Sequence, residues 1–269
     1  MSMIAATNLT VSIKGAQLLD GIDLHVDRGE WLSIIGPNGA GKSTLLRALA
    51  GVVPCDGAVT IDDEPLAGYS PRSLARKIAW VPQTPTIPPG MRVVDYVLLG
   101  RTPHLHPLAA ESSTDRDLVA QVLTDLDLTG LADRAVESLS GGERQRTVIA
   151  RALAQEAPIM LLDEPTTALD LGHQQDALDL LAGLRLASDR TIISTMHDLT
   201  LAGAYADRLM LLAEGRVVDS GAATKVLTVD NIATHYRAEV TISHVGDSVL
   251  VAPRLRGANS TPEEVNDAN

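Results

Sequence analysis

Residues 36–44 read Gly36-Pro37-Asn38-Gly39-Ala40-Gly41-Lys42-Ser43-Thr44, a GxxxxGK[ST] spacing suited to cradling a polyphosphate. Its glycines allow backbone angles that turn successive N–H groups toward a β-phosphate, and a following helix adds positive potential at its N-terminus. Lys42 can then reach the β- and γ-phosphates, and the Ser43 hydroxyl can ligate Mg²⁺. A second segment, Leu139-Ser140-Gly141-Gly142-Glu143-Arg144-Gln145-Arg146, has the pattern of another helix start open to an anion. Ser140 and Glu143 have the spacing of a capping box, and Gly141 and Gly142 leave first-turn N–H groups bare. Third, the apolar run Pro158-Ile159-Met160-Leu161-Leu162 delivers two carboxylates, Asp163 and Glu164. Asp163 suits holding Mg²⁺ through a water, and Glu164 suits polarising an attacking water. Two more polar residues end apolar runs. Gln83 follows Ile78-Ala79-Trp80-Val81-Pro82, in a position to contact both Mg²⁺ and the water; His197 follows Ile192-Ile193-Ser194-Thr195-Met196, in a position to meet a γ-phosphate. Taken singly, each has a plainer reading as a helix cap or a strand-end polar residue. Their occurrence as a series favours the phosphate chemistry.

These groups need elements to hold them. Residues 31–35 are short, apolar and β-branched, as a buried strand before the loop should be, and residues 45–50 have helical propensity that stops at Gly51, a C′ residue. Residues 4–30 alternate as strands, with a turn region expected at 17–21. A short strand is expected at 58–61, and 71–83 carries a helix followed by a strand at 78–81. Residues 82–90 form a Pro-rich loop outside regular structure. Helical patterns dominate 92–155, where Leu118, Val119, Val122, Leu123 and Leu126 line one face. From Pro158 onward strands at 159–162 and 191–195 alternate with helices at 174–186 and 199–206, which implies a parallel α/β sheet. Ligands sit at the C-terminal strand ends of such a sheet. The helical block then reads as an insertion. Residues 216–252 hold short β-like runs, and 257–269 is a polar tail expected to be disordered.

A chain of 269 residues can bury a sizeable core, yet it has no Phe, two Trp and four Tyr, so Leu, Val, Ile and Ala must do the packing. The net charge of −12 argues against a nucleic-acid partner, since phosphate backbones are bound through Lys and Arg. The single Cys, Cys55, rules out an internal disulfide, suits a reducing compartment and reads as a small packing residue. No apolar run approaches the length of a membrane span, and residues 1–10 lack a signal-peptide pattern. The chain is expected neither to span a membrane nor to be exported.

The order Gly36 to Thr44, Gln83, Leu139 to Glu143, Asp163-Glu164, Ala168-Leu169-Asp170 and His197 resembles the nucleotide-binding domain of ATP-binding cassette proteins. The resemblance covers residues 3–225. It implies an α/β fold, a P-loop NTPase-type mainly parallel sheet with an antiparallel β subdomain and a helical subdomain at about 92–155, followed by a short extension at 226–256. It implies ATP hydrolysis with Mg²⁺, and a head-to-tail dimer with a second copy of the chain that sandwiches two ATP molecules. Ser140, Gly141 and Gly142 of one subunit would face the γ-phosphate held by Lys42 of the other, and Asp170 would lie at the seam. One departure stands out. The family usually places an aromatic residue in the early strand to stack on adenine, and here Ile13 occupies that place. Stacking on an aromatic is worth about 1–3 kcal/mol in nucleic-acid sites, so base preference is in question while phosphate handling is not.

Long coiled coils, a second cassette, fused membrane helices and a large regulatory domain would mark other branches of the family, and the sequence holds none of them. What remains resembles a stand-alone ATPase subunit that docks on separate transmembrane permease subunits at the cytoplasmic face of the cell membrane. An extracytoplasmic substrate-binding protein would be an indirect partner. Within that group Val97-Leu98-Leu99-Gly100-Arg101-Thr102-Pro103-His104, with Val226-Leu227-Thr228 and His235-Tyr236, is similar to importers of ferric siderophores, haem and cobalamin. Gly100-Arg101 also admits reading as a plain surface turn, and His104 and His106 offer little as metal ligands. Importers of manganese, zinc or an amino acid, and non-transport cassettes, are the alternatives. The resemblance implies that the cargo never touches this subunit.

Overall fold

The computed structural model describes residues 2–106, 110–167, 169–246 and 248–254. The expected tail at 257–269, the last two residues of the extension at 226–256, and Ala168 lie outside them. In chain order the elements are β1 (Ser2–Ile13), β2 (Ala16–Asp27), β3 (Trp31–Ile35), α1 (Lys42–Leu49), β4 (Asp56–Ile61), β5 (Glu64–Pro65), α2 (Pro71–Ala75), β6 (Ile78–Val81), α3 (Val93–Leu98), α4 (Ser113–Asp125) and α5 (Gly141–Ala154). Then come β7 (Ile159–Asp163), α6 (Leu171–Ser188), β8 (Thr191–Thr195), α7 (Leu199–Tyr205), β9 (Arg208–Ala213), β10 (Arg216–Gly221), α8 (Ala223–Val226), α9 (Val229–Asn231), a π turn (Ile232–Tyr236), β11 (Val240–Val245) and β12 (Ser248–Pro253).

A six-stranded sheet runs β10-β9-β3-β8-β7-β6, parallel except at the β10 edge, and a four-stranded antiparallel sheet runs β2-β1-β4-β5. Because successive strand side chains point to opposite faces, the large sheet feeds two cores. Leu32, Ile34, Ile159, Leu161 and Ile193 pack with α1 and the antiparallel sheet, while Trp31, Met160, Leu162 and Ile192 pack under the helices. Between β6 and β7 the chain leaves the sheet for α3 to α5. Val119, Leu123 and Leu126 are buried there, with Leu118 and Val122 packed beside them.

The expected turn at 17–21 is overturned. The chain reverses at Lys14-Gly15, both left-handed, and residues 17–21 lie inside β2. Gly21, at φ 62°, falls where the β1–β2 register slips between Leu9↔Ile22 and Val11↔Leu19, so the glycine marks a bulge. Gly51 follows α1 with φ 68°, as a C′ residue should. The plain surface-turn reading of Gly100-Arg101 also fails. A Cβ at Gly100 would fall 2.3 Å from the Arg151 carbonyl oxygen, so the backbone packs directly on α5. Arg101 is 7% exposed. It donates to Asp115 at 2.8 Å, the Ala154 carbonyl at 2.7 Å and Glu156 at 2.6 Å, stapling the start of α4 to the end of α5. The β-like stretch at 216–252 is interrupted by α8, α9 and the π turn before the β11–β12 hairpin.

Candidate active site

Parallel strands bring their C-terminal ends to one edge, and sheet order decides which ends are neighbours. Read across β3-β8-β7-β6, the edge carries the loop at 36–44, then His197, then Asp163-Glu164, then Gln83. Strands lie about 4.8 Å apart, so Glu164 is flanked on both sides. His197 Nε2 pairs with Glu164 Oε1, while Gln83 Nε2 and Thr167 Oγ1 donate to Oε2, the latter at 3.1 Å. Glu164 itself sits at φ 51°, a left-handed backbone for a side chain with a Cβ, and such residues cost of order 1–3 kcal/mol. Gln83 and His197 thus converge on the carboxylate in this arrangement.

Asp163 is buried, and its Oδ1 accepts from Ser43 at 2.9 Å and Thr195 at 2.8 Å. The Thr195 hydroxyl also accepts from the Glu164 amide at 2.9 Å, so one side chain on β8 orients both acids. In the loop, Gly36 has no room for a side chain, since a Cβ would lie 2.0 Å from the Leu212 carbonyl oxygen; Gly41, at φ 102°, caps α1. Lys42 is buried and donates to the Gly36 and Pro37 carbonyls at 2.7 and 3.1 Å. Burial pushes its ammonium pKa down, with Glu164 and Asp163 pulling it back up. A recess of about 270 Å³ opens over this loop, lined by residues 38–44, Glu164 and Leu18. Ile13 does not line it; it is 41% exposed at the end of β1.

The segment at 139–146 forms the capped helix start that its spacing implies. Ser140 caps α5, accepting from the Glu143 amide, and its own N–H donates to the Glu143 carboxylate at 2.8 Å. Ser140 and Gly141 are exposed, but Gly142 is buried against His173. No residue of 139–146 lines the recess over the loop. Asp170 is exposed and caps α6 through the His173 amide at 3.0 Å. His104 is engaged with the Gln155 carbonyl at 2.9 Å.

Four residues at these sites escaped sequence reasoning: Leu18, Thr167, His173 and Thr195. Only Thr195 carried a usable signal, a polar residue at the C-terminal end of an apolar strand.

The pattern described as ABC transporter matches residues 19–167. The hemin import ATP-binding protein of Nocardia farcinica is 44% identical, covering 88% of this chain and 82% of that protein. The ferric enterobactin transport ATP-binding protein of Escherichia coli is 39% identical, covering 94% of each. The cobalamin import ATP-binding protein of Halobacterium salinarum is 40% identical over 88% of this chain, which spans 59% of that protein's length. Among solved structures, an inward-facing metal-chelate type ABC transporter aligns with a TM-score of 0.82 and 31% identity, covering 95% of this chain and 99% of that one. A dimeric ATP-binding cassette bound to ADP and Pi aligns with a TM-score of 0.71 and 29% identity, over 82% of this chain and 99% of that one. With the glycine loop, the capped second helix and the paired acids all in place on this fold, the chain belongs to the ABC transporter family.

Proposed function

We propose that the chain is the ATP-hydrolysing subunit of an importer that carries an iron chelate such as a ferric siderophore, haem or cobalamin through separate permease subunits. The observation that carries the catalytic part is Glu164, held by Gln83, His197 and Thr167 at the rim of the phosphate-loop recess. The names of the similar import proteins support the cargo class.

In this reading the amides of residues 38–44 receive the β- and γ-phosphates, and Lys42 leaves the Gly36 and Pro37 carbonyls to meet them. Ser43, Asp163 and Gln83 offer hard oxygen donors, with Ser43 and Asp163 already 2.9 Å apart, and these would hold Mg²⁺. When bound, the ion neutralises charge developing on the phosphates. Glu164 orients the attacking water and takes its proton, His197 contacts the γ-phosphate, and Gln83 senses the loop at 82–90. Ser140, Gly141 and Gly142 of a second copy complete each site, with Asp170 at the seam. The cassette spans 3–225, with 92–155 as its helical part.

No helix among the described residues is long and apolar enough to cross a membrane, so attachment at the cytoplasmic face falls to the permease. A groove of about 700 Å³ runs along the helical block from Met91, directly after that loop, past Leu98 and the 44% exposed Leu99. It is a fitting seat for a permease helix. The experiment is reconstitution of the chain with its cognate permease in vesicles holding ATP. Uptake of a ferric siderophore, haem or cobalamin, delivered by the matching binding protein, is expected; ATP hydrolysis that no such cargo accelerates would overturn the cargo assignment.

A further inference from the structure

His173, in the first turn of α6, touches two segments at once. Its Nδ1 lies 2.7 Å from Asp170 Oδ1, the same oxygen that accepts its backbone N–H at 3.0 Å. The other edge of the ring lies on α5. A Cβ built on Gly142 would fall 2.3 Å from His173 Cδ2 and 3.0 Å from Nε2. Gly142 has ordinary helical geometry, with no positive φ to call for a glycine. Its missing side chain is what seats the ring. The Asp170 carboxyl is held below its usual range by the two hydrogen bonds from His173, first the backbone one and then the ring.

We infer that His173 is a positioning residue that ties Asp170 to Gly142, so that the two segments one subunit offers to its partner's nucleotide move as a unit. The inference rests on the composite-site reading proposed above. The first turn of α5 and the capping turn of α6 belong to separate helices joined through β7, and neither fixes the other's orientation by itself. A ring wedged against one backbone and bonded to the other's cap makes a displacement of either felt by both. Ser140 and Gly141 are exposed beside it, placed to meet a second subunit while the ring stays with its own.

The test uses the full chain carrying Glu164→Gln, with ATP-dependent dimerisation read by sedimentation and nucleotide affinity read on dilute monomer with a fluorescent ATP analogue. His173→Phe keeps a ring on Gly142 and loses the donor to Asp170; His173→Asn keeps a donor and loses the ring. Each is expected to weaken dimerisation about tenfold, within the usual range of coupling energies, with monomer affinity unchanged to within about twofold. Gly142→Ala should weaken it further, and adding His173→Ala should relieve that defect, because the clash then has no partner. A purely structural histidine would lower the melting temperature and leave the dimer constant alone. Dimerisation equal to the parent in both His173 variants overturns the tie, and a Gly142→Ala defect indifferent to His173 overturns the ring seat. If the Glu164→Gln parent itself stays monomeric with ATP, the composite-site reading fails, and this inference with it.

Discussion

At the scale of the residue, the proposed chemistry turns on Glu164. Its carboxylate is met by Gln83, His197 and Thr167, which hold its direction without covering the recess. Glu164→Gln keeps the shape and some of these hydrogen bonds but cannot accept a proton. Phosphate release should fall by about 10²–10⁴-fold while ATP still binds; a rate within about twofold of wild type would remove Glu164 from that role. Ile13 makes the opposite kind of prediction. It adds apolar area but no π-face, and Leu18 is the side chain that borders the phosphate recess. ATP and GTP should therefore differ in affinity by less than about tenfold. Ile13→Tyr should tighten ATP modestly and leave turnover at saturation alone, because it adds uniform binding. Titrating both nucleotides against both proteins checks this, and a strong ATP preference indifferent to Tyr would mean another residue reads the base.

At the scale of the element, the first turn of α5 is capped by Ser140, exposed at Gly141 and absent from the lining of the chain's own recess, which suits the proposed approach of a second subunit. Ser140→Arg places a long side chain where the partner's γ-phosphate would approach, so the homodimer should hydrolyse ATP poorly. Mixed with Lys42→Ala, each heterodimer retains one intact composite site and one doubly broken one, so mixing should restore activity that neither variant has alone. Normal hydrolysis by either homodimer would end the sandwich reading.

The α4–α5 staple concerns stability. Removing Arg101 leaves Asp115 enclosed without its cation, and breaking such a buried pair costs about 3–5 kcal/mol. Arg101→Ala should lower the melting temperature by roughly 5–10 °C for a chain of this size. Ser112 and Arg101 hold the Asp115 carboxyl at about 2 against its ordinary 3.8. Its ionisation thus stabilises the fold above pH 4, and that contribution fades as pH falls from 4 toward 2. Melting curves from pH 3 to 7 should show Arg101→Ala losing it at higher pH than wild type. Parallel curves would assign Asp115's low value to Ser112 alone.

At the scale of the whole molecule, the proposed importer reading calls for a surface that meets a permease. The groove beside the loop at 82–90 is the place to probe, and Leu99 is exposed in it. Leu99→Asp puts a charge on that apolar surface without touching the nucleotide edge. Binding to the permease should weaken by tenfold or more, about 1.4 kcal/mol, with basal hydrolysis within about twofold of wild type. Unchanged co-purification and uptake would move the permease to another face.

What sequence determined by itself is the set of local states. The loop glycines, the Ser140–Glu143 box, the apolar run before Asp163-Glu164 and the C′ glycine at 51 each record a backbone conformation or an element end, and such information is short-range. Alternation of strand and helix after Pro158 was enough to imply a parallel sheet. Gln17 to Gly21 shows where the local signal is ambiguous, because a glycine in a bulge and a glycine in a turn look alike until the partner strand is known. Only the tertiary structure decided sheet order, and with it that β8 and β6 flank β7, which sets His197 and Gln83 on the same carboxylate. Contacts between residues distant in sequence are likewise silent in one chain's spelling. Arg101 reads as a surface cation until α4 and α5 close over it, and His173 reads as a helix-surface residue until α5 brings Gly142 beneath its ring. Spacing along the chain can announce what a residue is able to do, but the neighbour that directs it is chosen by packing.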